Sequence, residues 1–560
     1  MSLTLSSELL FATTAEQLER YRKLASTTIK DREVSIETVD LGEAALLDII
    51  RAASATRDTK SARAAESILQ ARQGAFDRAV PNFKAFKGVL EAFLKCDLID
   101  GWIYVNEDDG TVYPELVTHI SFDDGQTYGR GKGSQVVRVH TISYGLLGES
   151  GHRSKIGNKS NTHTFSPRDV ANRKMTDILS AFGIFKETQA LKSAYLASLE
   201  RYQTSIQDAF SKQFRISGKV YRFEESNHMR RGFNLENRRV IHDLEAKDFG
   251  PYARYAESDL LSHGLGNGVV PEHPVVRLFD LRTHEFLWAH SDTLEPHKYD
   301  KSLRDKLVLP ATHRDLLDVL TTDLDAFVDD FIEGKSAGNV ILCKGIPGVG
   351  KTLTAEVYAE LIEQPLYSIH SGSLGTTVES IESNLKEIFQ RGKRWGCVLL
   401  LDEADVYVAK RGNNIEQNAI VAEFLRTLEY FDGLLFLTTN RPQDVDDAIE
   451  HRCAAIIEYL APEKEDAAAI WRVMAAQYKA VLSETLIEGL LALFPTLTPR
   501  DIKMLFRLAL RVSARNKEEL SLETFRQCAM FRAIPIANAL PRRADGKRAT
   551  SFDPTLSEAY

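Results

Sequence analysis

The sequence predicts an α/β protein: a doubly wound parallel-sheet core with a helical lid, preceded by an α+β N-terminal region. Three observations carry that expectation. After Asp305 five short apolar runs alternate with amphipathic segments: NVILCKG (339–345), PLYSIH (365–370), CVLLLD (397–402), LLFLTTN (434–440) and AAIIEYL (454–460). Runs apolar on both faces and spaced by helices make a parallel sheet covered on both sides. From Pro462 to about 535 the apolar spacing is purely helical, roughly four helices. Before residue 300, helical spacing and β-branched, aromatic runs are mixed.

Taken in order, helices are expected at 14–30, 41–54, 61–79 and 82–95, where apolar residues recur every three or four positions. From Gly101 the texture turns to strands, GWIYVNEDDG, TVYPELVTHISF and SQVVRVHTISYG, with DDG triplets supplying turns. Residues 145–167, rich in Gly, Ser, Asn and Lys, read as a long loop. Helical spacing returns at 168–213, followed by short strands at KVYRF, RVIHDL, VVRLFDL and EFLWAH. KLVLP precedes a helix at 313–333, and the polar, unpatterned tail after 538 is expected to be disordered. The domains follow: 1–235 an α+β adaptor, 236–312 a linker with short strands, 313–460 the core, 461–538 the lid and 539–560 the tail.

Composition excludes several classes. At 560 residues the chain is long enough for two or three cores. No stretch approaches the roughly 20 apolar residues of a membrane helix, so no membrane partner is expected. The start, MSLTLSSELLFATTAEQLERY, lacks the cationic opening of a secretory signal. Five scattered cysteines without CxxC spacing fit neither a disulfide framework nor a zinc site, and a cytoplasmic location follows. A net charge of −9 argues against a surface that grips nucleic acid throughout.

Chemistry concentrates in three segments. Gly345-Ile346-Pro347-Gly348-Val349-Gly350-Lys351-Thr352 fits G-x-x-x-x-G-K-[ST], with an apolar strand before it and a helix, beginning at Leu353, after it. Small residues let main-chain amides wrap a phosphate at a helix N-terminus, Lys351 reaches the β- and γ-phosphates, and the Thr352 hydroxyl suits Mg2+. ATP and Mg2+ are therefore the expected cofactors. Some fifty residues on, VLLLD402-E403-A-D405 ends an apolar strand in carboxylates. Asp402 is placed to hold Mg2+ and Glu403 to polarise an attacking water. In LLFLTTN440-R-P, Asn440 is placed to bond that water or the γ-phosphate, although Asn-Arg-Pro also suits a plain turn.

The order of these motifs, closing on DVDDAIEHR, resembles the AAA family of AAA+ P-loop ATPases, with a particular similarity to a group of uncharacterised AAA ATPases known mostly from fungi. The resemblance runs over roughly residues 235–535. It implies an ATPase acting in a ring of identical subunits, usually a hexamer, with ATP between neighbours. It places Asn440 at sensor 1 and Arg452 at an arginine finger reaching the next subunit's ATP; spacing alone would make Arg452 a surface ion-pair residue. Arg500, opening a lid helix in LTPRDIKML, matches a sensor-2 arginine found in many AAA+ members, where AAA proteins proper often have a small residue. The loop after the second strand, SGSLGTTVE, lacks the aromatic residue that protein-threading members carry, leaving Leu374 or Val378 as weak substitutes.

The favoured reading is an ATPase that remodels or disassembles an unidentified protein client. One alternative is a nucleic-acid-responsive ATPase or sensor. It would use the segment 128–174, where Arg130, Lys132, Arg138, Arg153, Lys155, Lys159, Arg168, Arg173 and Lys174 face two acids, Glu149 and Asp169; a solvated loop is the plainer account of that charge. The other alternative is a nucleotide-dependent assembly scaffold.

Overall fold

The computed structural model describes residues 3–27, 33–36, 41–106, 111–124, 134–146, 156–223, 230–245, 249–261, 266–322, 339–375, 377–429, 431 and 433–537. The chain divides into two compact units, Met1–His297 and Lys298–Tyr560.

In the first unit, helices Glu43–Ala55, Thr59–Arg72 and Phe83–Lys95 pack on one face of an antiparallel sheet. That sheet runs in the order 156–165, 136–146, 112–123, 102–106, 184–186. Its other face joins Phe214, Val220, Val276 and Trp288 in a second core. A second antiparallel sheet orders 286–290, 275–280, 230–242, 213–223 and 294–296, and 286–290 returns to pair with 213–223, so the sheet closes on itself. Two expectations change here. Ile156–Phe165, read as loop, is a strand paired with Val136–Leu146 over ten positions, Leu146 opposite Ile156 through Val137 opposite Phe165. The strands 275–280 and 286–290, assigned to a linker beyond residue 235, complete a sheet, and the unit runs on to His297.

The second unit opens with α1 (Ala311–Thr322); the expected continuation of this helix to 333 and the tail after 538 lie outside the described residues. Five strands follow: β1 (Asn339–Gly345), β2 (Leu366–His370), β3 (Val398–Asp402), β4 (Leu434–Thr439) and β5 (Ala455–Tyr459). All pair in parallel, in the order β2-β3-β4-β1-β5. Val398 through Leu400 and Leu435 through Leu437 are buried because helices cover both faces. Those helices are α2 (Lys351–Leu361), α3 (Val378–Trp395), the single turn α4 (Asp405–Val408), α5 (Ile415–Leu428) and α6 (Asp447–Arg452). The order reverses beside β1, the first strand, so its C-terminal end opens onto the crevice where such sheets bind ligands.

Four helices form the lid: α7 (Lys464–Gln477), α8 (Glu484–Leu493), α9 (Pro499–Asn516) and α10 (Leu522–Met530). They close on Trp471, Leu490, Phe506 and Phe525. Thr498 caps α9 by accepting the Asp501 N–H, and Pro499 occupies the first turn where a missing N–H costs nothing.

Candidate functional site

The site is built at the C-terminal ends of β1, β3 and β4. Between β1 and α2 the chain must turn sharply, and glycines make this possible. Gly345 has φ +155°, and a Cβ there would lie 2.2 Å from the Tyr459 carbonyl oxygen. Gly348, at φ +87°, would bring a Cβ to 2.8 Å from that of Arg500. Gly350, also left-handed, starts α2 without a side-chain cap, leaving the first-turn amides at a helix N-terminus.

Lys351 is 6% exposed. A buried ammonium must use its three donors, and it does: Nζ donates to the carbonyls of Gly345 (2.8 Å) and Ile346 (2.9 Å) and to Asn440 Oδ1 (2.9 Å). Burial holds its pKa below the usual lysine value, against the opposing charge of Asp402. Thr352 donates its hydroxyl to Asp402 Oδ1 at 2.9 Å, and Thr438 donates to the same oxygen at 2.6 Å. Thus two hydrogen-bonded groups, Lys351 with Asn440 and Thr352 with Asp402 and Thr438, stand side by side where Lys351 and Thr352 open α2. Thr352 and Asp402 offer the hard oxygen donors that Mg2+ takes, so the residues fit that ion.

Glu403 follows at φ +55°, a conformation that costs a non-glycine residue about 1 kcal/mol or more. The Glu403 N–H donates to Thr438 Oγ1 at 2.9 Å and the Ala404 N–H to the Thr438 carbonyl at 2.8 Å. These bonds hold the turn and leave the Glu403 carboxylate exposed at the rim.

Two further residues, given no role from sequence, set the geometry. Asp405 Oδ1 accepts the Thr439 hydroxyl (2.5 Å) and the Asn440 N–H (2.9 Å), fixing the residue that meets Lys351. Asp446 caps α6 by accepting the Ala448 N–H and takes two bonds from the Arg411 guanidinium, 2.9 and 3.2 Å. Asp405 could have been suspected from its place at the end of the carboxylate run. Asp446 and Arg411 lie 35 positions apart with no shared motif to signal them.

Arg452 stands outside both groups. It ends α6, exposed, and pairs with Glu429 after α5. Arg500 reaches the site through its backbone: its N–H donates to the Gly348 carbonyl at 3.1 Å, seating α9 on the turn, and its like charge adds to the lowering of the Lys351 pKa. Ile346, Pro347 and Leu353 are exposed along the turn, whereas Val349 is buried. Leu374 is wholly buried in the loop after β2, and Val378 is half-buried. Of the basic segment, Arg138 pairs with Asp123, and Arg130, Lys132, Arg153 and Lys155 lie outside the described residues. Among the described residues no helix is long and apolar enough to cross a membrane.

Residues 341–459 match the family model "ATPase family associated with various cellular activities (AAA)". An uncharacterized AAA family ATPase, y4kL of Sinorhizobium fredii, is 30% identical over 157 residues, 26% of this chain and 45% of that protein. The peroxisomal ATPase PEX6 of Eremothecium gossypii is 32% identical over 146 residues, 24% of this chain and 14% of that protein. The chain therefore spans less than half the length of either relative. A crystal structure of the FIGL-1 AAA domain in complex with ADP aligns over 40% of this chain and 82% of that one, at 19% identity and a TM-score of 0.34. With the glycine turn, the buried lysine and the Thr352–Asp402 pair in place, residues 341–459 are a domain of the AAA family of ATPases.

Proposed function

We propose that this protein binds and hydrolyses ATP at the β1–α2 turn and uses the cycle, in a ring of its own copies, to remodel a protein client. The observation that carries this reading is the pair of 2.9 Å bonds, Lys351 to Asn440 and Thr352 to Asp402, made by two consecutive residues at the start of α2. The turn's amides and the Lys351 ammonium neutralise the β- and γ-phosphates, replacing the carbonyl contacts the ammonium otherwise makes. Thr352 and Asp402 would hold Mg2+, which would offset the charge of the phosphates. Glu403 takes the proton of the attacking water, and Asn440, steadied by Asp405, orients that water against the γ-phosphate. Arg452 swings from Glu429 to the ATP of the adjoining copy.

The Arg500–Gly348 bond gives the phosphate turn a direct handle on the lid, so nucleotide state alters the angle between core and lid. A buried Leu374 and the lack of an aromatic residue in 371–379 favour such a switch over threading of an extended chain.

The test is nucleotide binding and phosphate release by the full chain with Mg2+. Lys351→Ala is expected to lose ATP binding. Glu403→Gln is expected to keep it while turnover falls by about 100-fold or more. Unchanged ATP uptake in Lys351→Ala overturns the reading.

A further inference from the structure

In the first unit, Tyr144, Tyr202, Phe249, Tyr252, Glu272 and His273 line a cavity of about 230 Å³. Its walls are built deliberately by the chain. The Tyr144 N–H donates to the Pro271 carbonyl (2.8 Å) and the His273 N–H to the Tyr144 carbonyl (2.7 Å), which sets Tyr144 beside Glu272. Tyr195, on helix Gln189–Ser205, donates its hydroxyl to the Glu272 carbonyl and accepts the Glu272 N–H, each at 3.0 Å. The same helix carries Tyr202. Tyr144 donates to the Gly250 carbonyl (3.1 Å) and Tyr252 to the Val270 carbonyl (3.1 Å). The Tyr144 and Tyr252 rings lie 4.5 Å apart, tilted by 55°, so they form a corner, and Tyr252 at 40% exposure marks its mouth.

Glu272 gives this aromatic corner a sign. Burial pushes its carboxyl above the usual range, while a hydrogen bond from Gln203 pulls the other way. Among the described residues no lysine or arginine pairs with it. Arg254, two residues beyond Tyr252, lies instead over the Tyr255 ring, 5.7 Å from its centroid. A half-buried carboxylate among ring faces calls for a cation. The volume falls below the roughly 300–1,000 Å³ of a drug-sized ligand, so it suits one head group and not a nucleotide or a peptide backbone.

We infer that this corner binds a methylated ammonium group, the head of an N-methylated lysine side chain or of a choline-like small molecule. An unmodified ammonium brings three donors that each need an acceptor. Here the carbonyls of Gly250, Val270 and Glu272 each accept a tyrosine hydroxyl, which leaves each at most one lone pair for an incoming donor. A methylated cation has few or no donors to satisfy, and spreads its charge over the ring faces and Glu272. This inference is independent of the ATPase reading, because it concerns a different unit and is tested without nucleotide.

The experiment is calorimetric titration of the full chain with choline and with its uncharged isostere, 3,3-dimethylbutan-1-ol. Choline is expected to bind at one site at least about tenfold tighter than the isostere. Glu272→Gln and Tyr252→Leu are each expected to weaken choline about fivefold or more, with Tyr252→Phe close to wild type. Tyr252 stands at the surface, so its variants test the site without opening the core. A trimethyllysine peptide that binds more tightly than choline, and than its unmethylated form, identifies a protein tail as the source; choline binding tighter identifies a small molecule. Equal binding of choline and isostere, no saturable binding to folded wild-type protein, or full affinity in both Glu272→Gln and Tyr252→Leu overturns the proposal.

Discussion

Asp405 illustrates how a single carboxylate organises the site through its neighbours. Its Oδ1 holds both the Thr439 hydroxyl and the Asn440 amide, so Asp405→Ala frees the residue that bonds Lys351. Turnover is expected to fall about tenfold or more with nucleotide affinity within about threefold, because the phosphate cradle stays intact. Asp405→Asn, which keeps an acceptor oxygen, is expected to recover most of the loss; equal defects in both variants would point to charge as the operative property. Glu115, in the first unit, makes a pH prediction. Burial alone would raise its carboxyl, but the hydrogen bond and charge of His163, with Thr141, outweigh this and hold it at about 2. The folded value lies below the unfolded one, 4.5, so the carboxylate's stabilising contribution is present above about pH 4.5 and is lost as pH falls toward 2. The difference corresponds to roughly 3 kcal/mol. Denaturant unfolding between pH 6 and pH 3 is expected to show a shallower pH slope in Glu115→Gln than in wild type. The two carboxylates also differ in legibility. Asp405 sits in a recognisable run, whereas Glu115 acquires its partners from strands 26 and 48 residues further along.

Elements were legible where burial imposes a pattern on both faces. β1 to β5 fall within a residue or two of their apolar runs, since a parallel sheet covered by helices tolerates little else. Ile156–Phe165 was not legible. Lys159, Ser160, Asn161, Thr162 and His163 hide its alternation because it is an edge strand whose exposed positions are polar. Its pairing is dictated by the partner strand instead. The short helix α6 makes the matching point about stability. Too brief to persist alone, it depends on Asp446, which caps it and is clamped by Arg411, and on Lys344, which bonds Glu450 at 3.0 Å. Asp446→Ala is expected to cost about 1–2 kcal/mol through loss of the cap and the charged bonds. Because α6 carries Arg452, ATPase turnover should fall further than nucleotide affinity, which fluorescent-nucleotide titration checks. Equal losses in both would place the effect in the fold and not in α6.

At the scale of the whole molecule, the question is whether one copy completes the site of another. Within a single chain Arg452 is satisfied by Glu429, an ion pair about one-third exposed on each side. Such pairs contribute only about 0–1 kcal/mol, so releasing the guanidinium toward a neighbour's phosphate costs little. Spacing alone could not separate a surface ion-pair residue from a finger, because an exposed arginine at the end of a short helix suits either role. Mixing variants distinguishes them. Lys351→Ala lacks a nucleotide cradle but keeps Arg452; Arg452→Ala keeps the cradle but lacks the finger. If Arg452 serves an adjoining copy, each variant alone is nearly inactive. In an equal mixture a working site then arises wherever an Arg452→Ala copy is followed by a Lys351→Ala copy. Random association in a head-to-tail ring makes this about one quarter of the sites, whatever the number of copies that close it. Phosphate release near that fraction of wild type supports service in trans. If Arg452 acts within its own chain, or only pairs with Glu429, the mixture can give no more than the mean of the two separate activities, because no rearrangement of subunits then creates a site that neither variant has.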